Sequence, residues 1–497
     1  MGDHMILQQN SSVKLWGWAD NKKVTVTTSW NNQTYQVLTD KNGAWLVKVD
    51  TPGASYTPYS ITISDGEDVI LSDILIGEVW ICSGQSNMDM RMMGNTGQPI
   101  DRSLETILHA GNYRNRIRFI AVSRTKDAQQ RIDFEGRKWE VSAPEAVMTC
   151  SAVAYFFAKQ VTEVLDIPVG LVISSWGGSR IESWMNEKTL ASIDGVDIEA
   201  ARSSKLKMHH RLGCMYDTML WPVRNFTARG FLWYQGESNI FNYYCYAPMM
   251  TAMVQLWREV WEAPNMPFYY VQIAPHKYKD SQDTDAALLR EAQTKALEAI
   301  PNSGMVSTID IGDEFCIHPP QKDIVGLRLA TLALTKTYNI CGLPSTGPTM
   351  TKVNYSEGKA IVTFDNASAG LTPAFCNLKG FEIAVKESAP VAIMTSYNRV
   401  NGVHAANSRA LCTVIAREEW GFDGVLMSDW STTAPEDGSI PWKCIEAGND
   451  LIMPGSEKDD ADIRQAYADG RLSEKEIRLC AGRIISLINK LDKKTKK

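Results

Sequence analysis

Four short segments of the 497-residue chain carry side chains whose types and spacing suit ester hydrolysis. They read Ser83-Gly84-Gln85-Ser86-Asn87-Met88, Ser175-Trp176-Gly177-Gly178-Ser179, Tyr234-Gln235-Gly236-Glu237-Ser238-Asn239 and Asp310-Ile311-Gly312-Asp313-Glu314-Phe315-Cys316-Ile317-His318-Pro319. A serine just past a buried strand and before a helix presents its hydroxyl at the sheet rim. The first helical N–H groups there can stabilise a developing oxyanion. Gly177 and Gly178 leave room for a second backbone N–H to approach the same point, and the Gln235 amide is a further candidate donor. His318, late in the chain, is a candidate general base to activate the serine, with His276 as the alternative. The sequence Gly-x-Ser-Asn occurs at both Ser86 and Ser238. The nucleophile is therefore open at this level, with Ser86 favoured because it follows the longest apolar run. Neither serine sits in a G-x-S-x-G elbow, since Met88 and Ile240 stand where the last glycine would be.

The elements that must position these groups follow from periodicity. Residues 1–72 read as an all-β module: Val24-Thr25-Val26-Thr27, Tyr35-Gln36-Val37 and Trp45-Leu46-Val47-Lys48-Val49 alternate, and Asn42-Gly43 signals a hairpin between the last two. From Asp73 the pattern becomes α/β. Residues 74–82, 171–174, 230–234 and 267–273 are nearly continuous apolar runs, as expected of strands buried on both faces. Ser151 is placed to cap a helix through Val153, Phe157, Val161 and Leu165. Buried strands alternating with helices predict a mostly parallel sheet covered on both faces, with chemistry beyond the strands' carboxyl ends. The pattern returns to β over 343–384, with strands expected at 359–364 and 380–384. Over 385–497, buried-type strands are expected at 391–394 and 424–427. A closing helix begins at the capping box Ser473-Glu474-Lys475-Glu476, with Ile477, Ala481, Ile484, Ile488 and Leu491 on one face.

Composition narrows the classes. Lys and Arg number 51 against 57 Asp and Glu, a formal charge of −6 that argues against nucleic-acid binding. No run of about 18 apolar residues occurs, so no membrane-spanning helix is expected. The seven histidines form no H-E-x-x-H or H-x-H, and the ten cysteines form no C-x-x-C, so neither a metal site nor a dense disulfide framework is predicted. The start, Met1-Gly2-Asp3-His4, runs on without the apolar stretch of a signal peptide.

Residues 77–88, from Gly77-Glu78-Val79-Trp80 to Ser86-Asn87-Met88, resemble the nucleophile block of the SGNH hydrolases. More narrowly, they resemble the carbohydrate acetylesterase branch known as sialate O-acetylesterases. Trp176-Gly177-Gly178-Ser179-Arg180-Ile181-Glu182-Ser183-Trp184, Trp233-Tyr234-Gln235-Gly236-Glu237-Ser238-Asn239 and Ile317-His318-Pro319 are similar to its other blocks. The opening His4-Met5-Ile6-Leu7-Gln8-Gln9 and Trp16-Gly17-Trp18-Ala19 resemble its β module. The likeness spans about residues 3–384 and implies an α/β fold, with a flavodoxin-like parallel sheet beside a β-sandwich module. It implies Ser86 as nucleophile, His318 as base, and Ser86 N–H, Gly178 N–H (or Gly177) and Gln235 as the oxyanion hole. SGNH enzymes commonly place an aspartate three residues before the histidine, where this chain has Phe315. Asp313 is the nearest match for the acid, with Glu314, a backbone carbonyl or a simple Ser–His dyad as alternatives. Glu237, Asn239, Arg180 and Trp176, inside these blocks, are candidate substrate contacts, though Glu237 also reads as a structural carboxylate. Trp80, Trp184 and Trp233 read as core. The resemblance further implies no cofactor or metal, an acetylated carbohydrate substrate, and a secreted or periplasmic setting.

Met394-Thr395-Ser396-Tyr397-Asn398-Arg399, Gly424-Val425-Leu426-Met427-Ser428-Asp429-Trp430 and Gly448-Asn449-Asp450-Leu451-Ile452-Met453-Pro454-Gly455 resemble glycoside hydrolase family 3, over roughly 385–491. The resemblance puts that family's nucleophile at Asp429. The stretch matches only the last part of a barrel, and a barrel fragment cannot close its sheet, so Asp429 is expected to be catalytically silent. The expected organisation is thus 1–72 and 343–384 as a split β module, 73–342 as the esterase domain, and 385–497 as a partial barrel. Because family 3 holds β-glucosidases and β-xylosidases, acetylated xylan or xylo-oligosaccharide is the expected substrate. The alternatives are O-acetyl sialic acid, a bifunctional esterase–glycosidase, and a non-catalytic carbohydrate-binding protein.

Overall fold

A computed structural model describes residues 1–134, 138–278, 284–343, 345–356, 359–367, 382, 384–386, 388–400 and 402–495. Seven strands open the chain: β1 (Ile6–Gln8), β2 (Ser12–Trp18), β3 (Lys23–Thr28), β4 (Gln33–Leu38), β5 (Ala44–Asp50), β6 (Ser55–Ser64) and β7 (Asp68–Gly84). β1, β3, β4, β6 and the first half of β7 make one sheet, and β2 pairs antiparallel with β5 in a second. Val13, Leu15, Trp45 and Val49 from one sheet and Val24, Val26 and Ile61 from the other are buried together. Asn42-Gly43 does turn the chain, with Asp40 accepting from the Asn42 and Ala44 N–H groups. It does not make the expected hairpin, because β4 pairs with β3 while β5 pairs with β2, so the turn carries the chain between sheets.

β7 is the spine of the molecule's first part. Its 17 residues run without a break from the β module into the central sheet, through the boundary expected at Asp73. That sheet adds β8 (Ile117–Ala121), β9 (Glu140–Val141), β10 (Val169–Ser175), β11 (Gly230–Tyr234), β12 (Phe268–Val271) and β13 (Ser303–Val306), in the order β13-β12-β11-β7-β10-β8-β9. All neighbours are parallel except the short β9 against β8. The apolar runs are continuous because both faces are covered. Phe231 and Trp233 of β11 join the core under α3 (Tyr243–Val260) and α4 (Asp285–Ala299), while Leu232 and Tyr234 join the core under α2 (Ala152–Leu165) and α5 (Lys322–Lys336). Ser151 caps α2 as predicted, accepting from Ala154 N–H at 3.2 Å. Glu78, fully buried on β7, takes two bonds from Arg229 (2.7 and 2.9 Å) and others from Gln8, Gln9 and Tyr338. The opening Gln8-Gln9 pair thereby satisfies a charge that would otherwise be buried at high cost. β14 (Thr349–Ser356) and β15 (Lys359–Asp365) form a separate antiparallel pair.

Chain contacts divide the molecule into units 1–369 and 370–497. In the second unit β16 (Ala392–Thr395), β19 (Val425–Trp430) and β20 (Leu451–Met453) form a three-stranded parallel sheet, and β17 (Arg399–Val400) pairs with β18 (Val403–His404). Helices α6 (Pro441–Ala447), α7 (Glu457–Ala468) and α8 (Glu474–Thr495) follow. The Ser473 capping box is formed, with Glu476 N–H on Ser473 Oγ and Ser473 N–H on Glu476 Oε2. The apolar face of α8 differs from expectation: Cys480 is buried, whereas Ile488 and Leu491 are about half exposed. The strand expected over 380–384 lies mostly outside the described residues, and Glu382 and Ala384, which are described, are helical. Asp429, near the end of β19, is half-buried, with Oδ1 accepting from the Trp430 N–H.

Candidate active site

β7 delivers Ser86 at its carboxyl end, at the start of the one-turn helix α1 (Ser86–Asp89). Gly84 makes the exit feasible. Its φ is +138°, and a Cβ there would lie 2.2 Å from the Tyr234 carbonyl oxygen of the neighbouring strand. The loop is pinned from three directions. Gln85 Oε1 accepts from the Gly236 and Ser238 amides at 3.2 and 3.3 Å, Ser151 Oγ donates to Met88 O at 2.6 Å, and Ser175 Oγ donates to Asp89 Oδ1 at 3.0 Å.

His318 arrives from the loop before α5, and its Nε2 stands 2.8 Å from Ser86 Oγ. Its Nδ1 lies 3.0 Å from Gln98 Oε1. The amide oxygen can only accept, so Nδ1 carries the hydrogen and Nε2 is left to take the serine proton. Burial, then the nearby Lys322 charge and His276, lower the His318 pKa to about 4, so the ring is neutral, with Nε2 unprotonated, over most of the pH range.

Asp313 and His318 are not brought together. The Asp313 carboxylate is exposed and turns back to accept the Phe315 and Cys316 amides at 2.7 and 2.8 Å, so it shapes the histidine loop without orienting the ring. Glu314 pairs with Lys277. The position behind the histidine belongs to Gln98, which sequence reasoning missed. A lone loop glutamine, bridged to Asn95 across a tight turn, carries no periodicity or spacing that would single it out.

Of the three candidate oxyanion donors, two stand at the serine. A Cβ at Gly177 would lie 3.5 Å from that of Ser86, and the next residue, Gly178, has φ +74°. Among the described residues, the N–H groups of Ser86, Gly177 and Gly178 donate to no backbone acceptor. Gln235 is a correction. Fully buried, its Nε2 donates to Ser179 O and Asn239 Oδ1 and its Oε1 accepts from Tyr246, so its donors are spent bracing the glycine loop from below. Asn239 belongs to the same brace, bonding the Ile181 amide and Glu182, and is itself buried. Glu237 is buried on Asn87. Arg180 is half-buried beside Glu182 and His210 around a cavity of about 300 Å³. Ser238, the rival nucleophile, donates to the Gly178 carbonyl at 3.0 Å.

Trp176 is half-buried, while Trp80, Trp184 and Trp233 are core. The Arg124 guanidinium lies 5.1 Å from the Trp176 ring, and His209 stacks on that ring at 6.1 Å, reaching within 3.4 Å of the Cβ position of Gly178. Nothing in the sequence singles out His209, yet it edges the oxyanion loop. Burial and neighbouring positive groups lower its pKa to about 4. Among the described residues no cluster of side chains suited to a metal ion occurs, and no helix is long and apolar enough to cross a membrane.

Residues 76–335 match the family model described as carbohydrate esterase, sialic acid-specific acetylesterase. The chain belongs to this acetylesterase family. Human sialate O-acetylesterase is 27% identical over 399 residues, covering 73% of this chain and 75% of that protein. The solved carbohydrate acetylesterase of Xanthomonas citri superposes with a TM-score of 0.65 at 29% identity, over 73% of this chain and 80% of its own. The acetylesterase assignment makes the chain a carboxylic ester hydrolase, a carbohydrate O-acetylesterase. Residues 356–487 match the glycosyl hydrolase family 3 N terminal domain, from a point ahead of the start expected at 385. An exo-α-(1→6)-L-arabinopyranosidase of Bifidobacterium breve is 43% identical over 110 residues, which are 22% of this chain and 14% of that enzyme.

Proposed function

We propose that the esterase removes acetyl groups from O-acetylated sialic acid through an acetyl-serine intermediate at Ser86. The observation that carries the mechanism is the 2.8 Å contact of Ser86 Oγ with a His318 whose other nitrogen is held by Gln98. Ser86 Oγ bonds to the acetyl carbonyl carbon while its proton passes to His318 Nε2. The tetrahedral oxyanion is met by the Ser86 and Gly177 or Gly178 N–H groups. The C–O bond to the sugar breaks, and the sugar oxygen leaves with the proton from Nε2. Water, deprotonated by the same nitrogen, then releases acetate and restores the serine.

Sialic acid is favoured over xylan by the family description and by the sialate O-acetylesterases among the relatives. Family-3 sequence in the second unit is what favours xylan. Acetate release from O-acetyl sialic acid and from acetylated xylan, compared as kcat/KM, tests the choice, and a preference for xylan would reverse it. Asp429 has no part in this reading, because retaining glycosidases need a second carboxylate about 5 Å away on a formed barrel. Aryl-glycoside hydrolysis that is lost in Asp429→Ala would restore the bifunctional alternative.

A further inference from the structure

Directly behind the nucleophile, the side-chain amide of Asn87 is held at both ends. Lys322 Nζ donates to its Oδ1 at 2.5 Å, and its Nδ2 donates to Glu237 Oε1 at 2.5 Å and to the carbonyl of Ile317, the residue before His318, at 3.1 Å. All three side chains are buried, Lys322 and Asn87 completely. Lys322 has no place here as a packing residue. It opens α5, where the helix dipole disfavours a cation, and desolvating its ammonium costs more than any ordinary surface role returns. Glu237 keeps its second oxygen, Oε2, buried without a partner.

We propose that Lys322 is a positioning residue of the ester hydrolysis: through the Asn87 amide it ties the Ser86 loop to the His318 loop. The proposal rests on reading Ser86 and His318 as the catalytic pair. An ammonium on the amide oxygen and a carboxylate on the amide nitrogen polarise Asn87 in one orientation. That orientation fixes the backbone on both sides of the Oγ to Nε2 contact. The Lys322 charge acts on the histidine as well, favouring its neutral form. The titratable groups facing the cluster are few. Glu237, Cys316 and the Tyr234 ring, 5.5 Å away, face Lys322; Tyr234, Tyr246 and Tyr278 face Glu237; Lys322 and His276 face His318. Burial lowers the Lys322 pKa to about 7, with Glu237 opposing the fall, so Lys322 is charged throughout the range in which His318 titrates.

The test is the pH profile of kcat and KM for Lys322→Gln, which keeps a donor for Asn87 and loses only the charge, and for Lys322→Met, which loses both. The substrate is 4-nitrophenyl acetate, with acetate measured after quenching and Ser86→Ala run alongside. In Lys322→Gln, kcat falls at least about tenfold while KM stays within about twofold. The acid limb of kcat/KM moves up by about one pH unit, because removing a neighbouring cation makes His318 easier to protonate. Lys322→Met shows the same limb shift and a larger loss in kcat. An unmoved acid limb in a folded Lys322 variant, or a loss carried by KM alone, overturns the proposal. Where neither Lys322 variant folds, Glu237→Gln decides. Without Glu237 the Lys322 charge is lost at lower pH, so the upper limb of kcat moves to lower pH, and an unmoved upper limb overturns the proposal. Activity surviving in Ser86→Ala would instead remove the catalytic reading on which the proposal rests.

Discussion

At the residue scale the proposed catalysis turns on one hydrogen bond and what stands behind it. An amide oxygen at His318 Nδ1 fixes the tautomer without the negative charge that a carboxylate would supply, so burial dominates and the ring protonates only near pH 4. The acid limb of kcat/KM for wild type is therefore expected near pH 4, well below the 6.5 of an unperturbed histidine. Gln98→Glu places a carboxylate on Nδ1 and is expected to move that limb upward, while Gln98→Ala lowers kcat by up to about 100-fold through loss of ring orientation. The same shift bears on stability. A histidine with a depressed folded-state pKa binds fewer protons folded than unfolded between pH 6.5 and about 4, so stability falls as pH drops through that window. Melting temperature against pH measures this, and the slope should lessen in His318→Gln. The proposed base, His318, was legible in sequence as a histidine late in the chain. Its orienting partner was not, since Asp313 caps a turn and Gln98 reads like any polar loop residue.

At the element scale, strand ends do the positioning, and the sequence showed most of them. The apolar runs at β7, β10, β11 and β12 are long because helices cover both faces, and that burial is what a sequence records as continuity. Gly84 is the tightest point. Gly84→Ala would drive a methyl into the Tyr234 carbonyl at a φ that L residues rarely adopt, an expected loss of about 3 kcal/mol or more, measured by denaturant unfolding. Pairing partners were less legible than strands. Asn42-Gly43 has hairpin chemistry, yet β4 and β5 enter different sheets, because a turn's sequence fixes its local bend and not which neighbour the next strand finds. The helical residues near 384, read as strand, reflect the same weakness of short apolar runs.

At the scale of the whole molecule, every group assigned to hydrolysis lies within residues 1–369, and the family-3 likeness begins at 356, near the end of that unit, and continues through the second to 487. A chain ending at Ala369 is expected to hydrolyse acetyl esters within about threefold of the full chain's kcat/KM, as a domain with its own core can. Asp429→Ala is expected to leave acetate release unchanged, and steady-state kinetics on the full chain checks it. Ordered motifs made the two resemblances legible, since each block marks a strand end that chemistry constrains. The substrate is less legible, because pocket-lining loops carry specificity with no fixed spacing.

The most direct measurement is acetate release by Ser86→Ala beside Ser238→Ala, the two serines that share the Gly-x-Ser-Asn sequence. Ser86 Oγ faces His318 Nε2, whereas Ser238 Oγ is occupied with the Gly178 carbonyl. The expected result is a fall in kcat of at least about 10³-fold in Ser86→Ala and of less than about tenfold in Ser238→Ala, which loses only a supporting hydrogen bond. Undiminished acetate release by a folded Ser86→Ala, or its abolition by Ser238→Ala alone, would contradict the account.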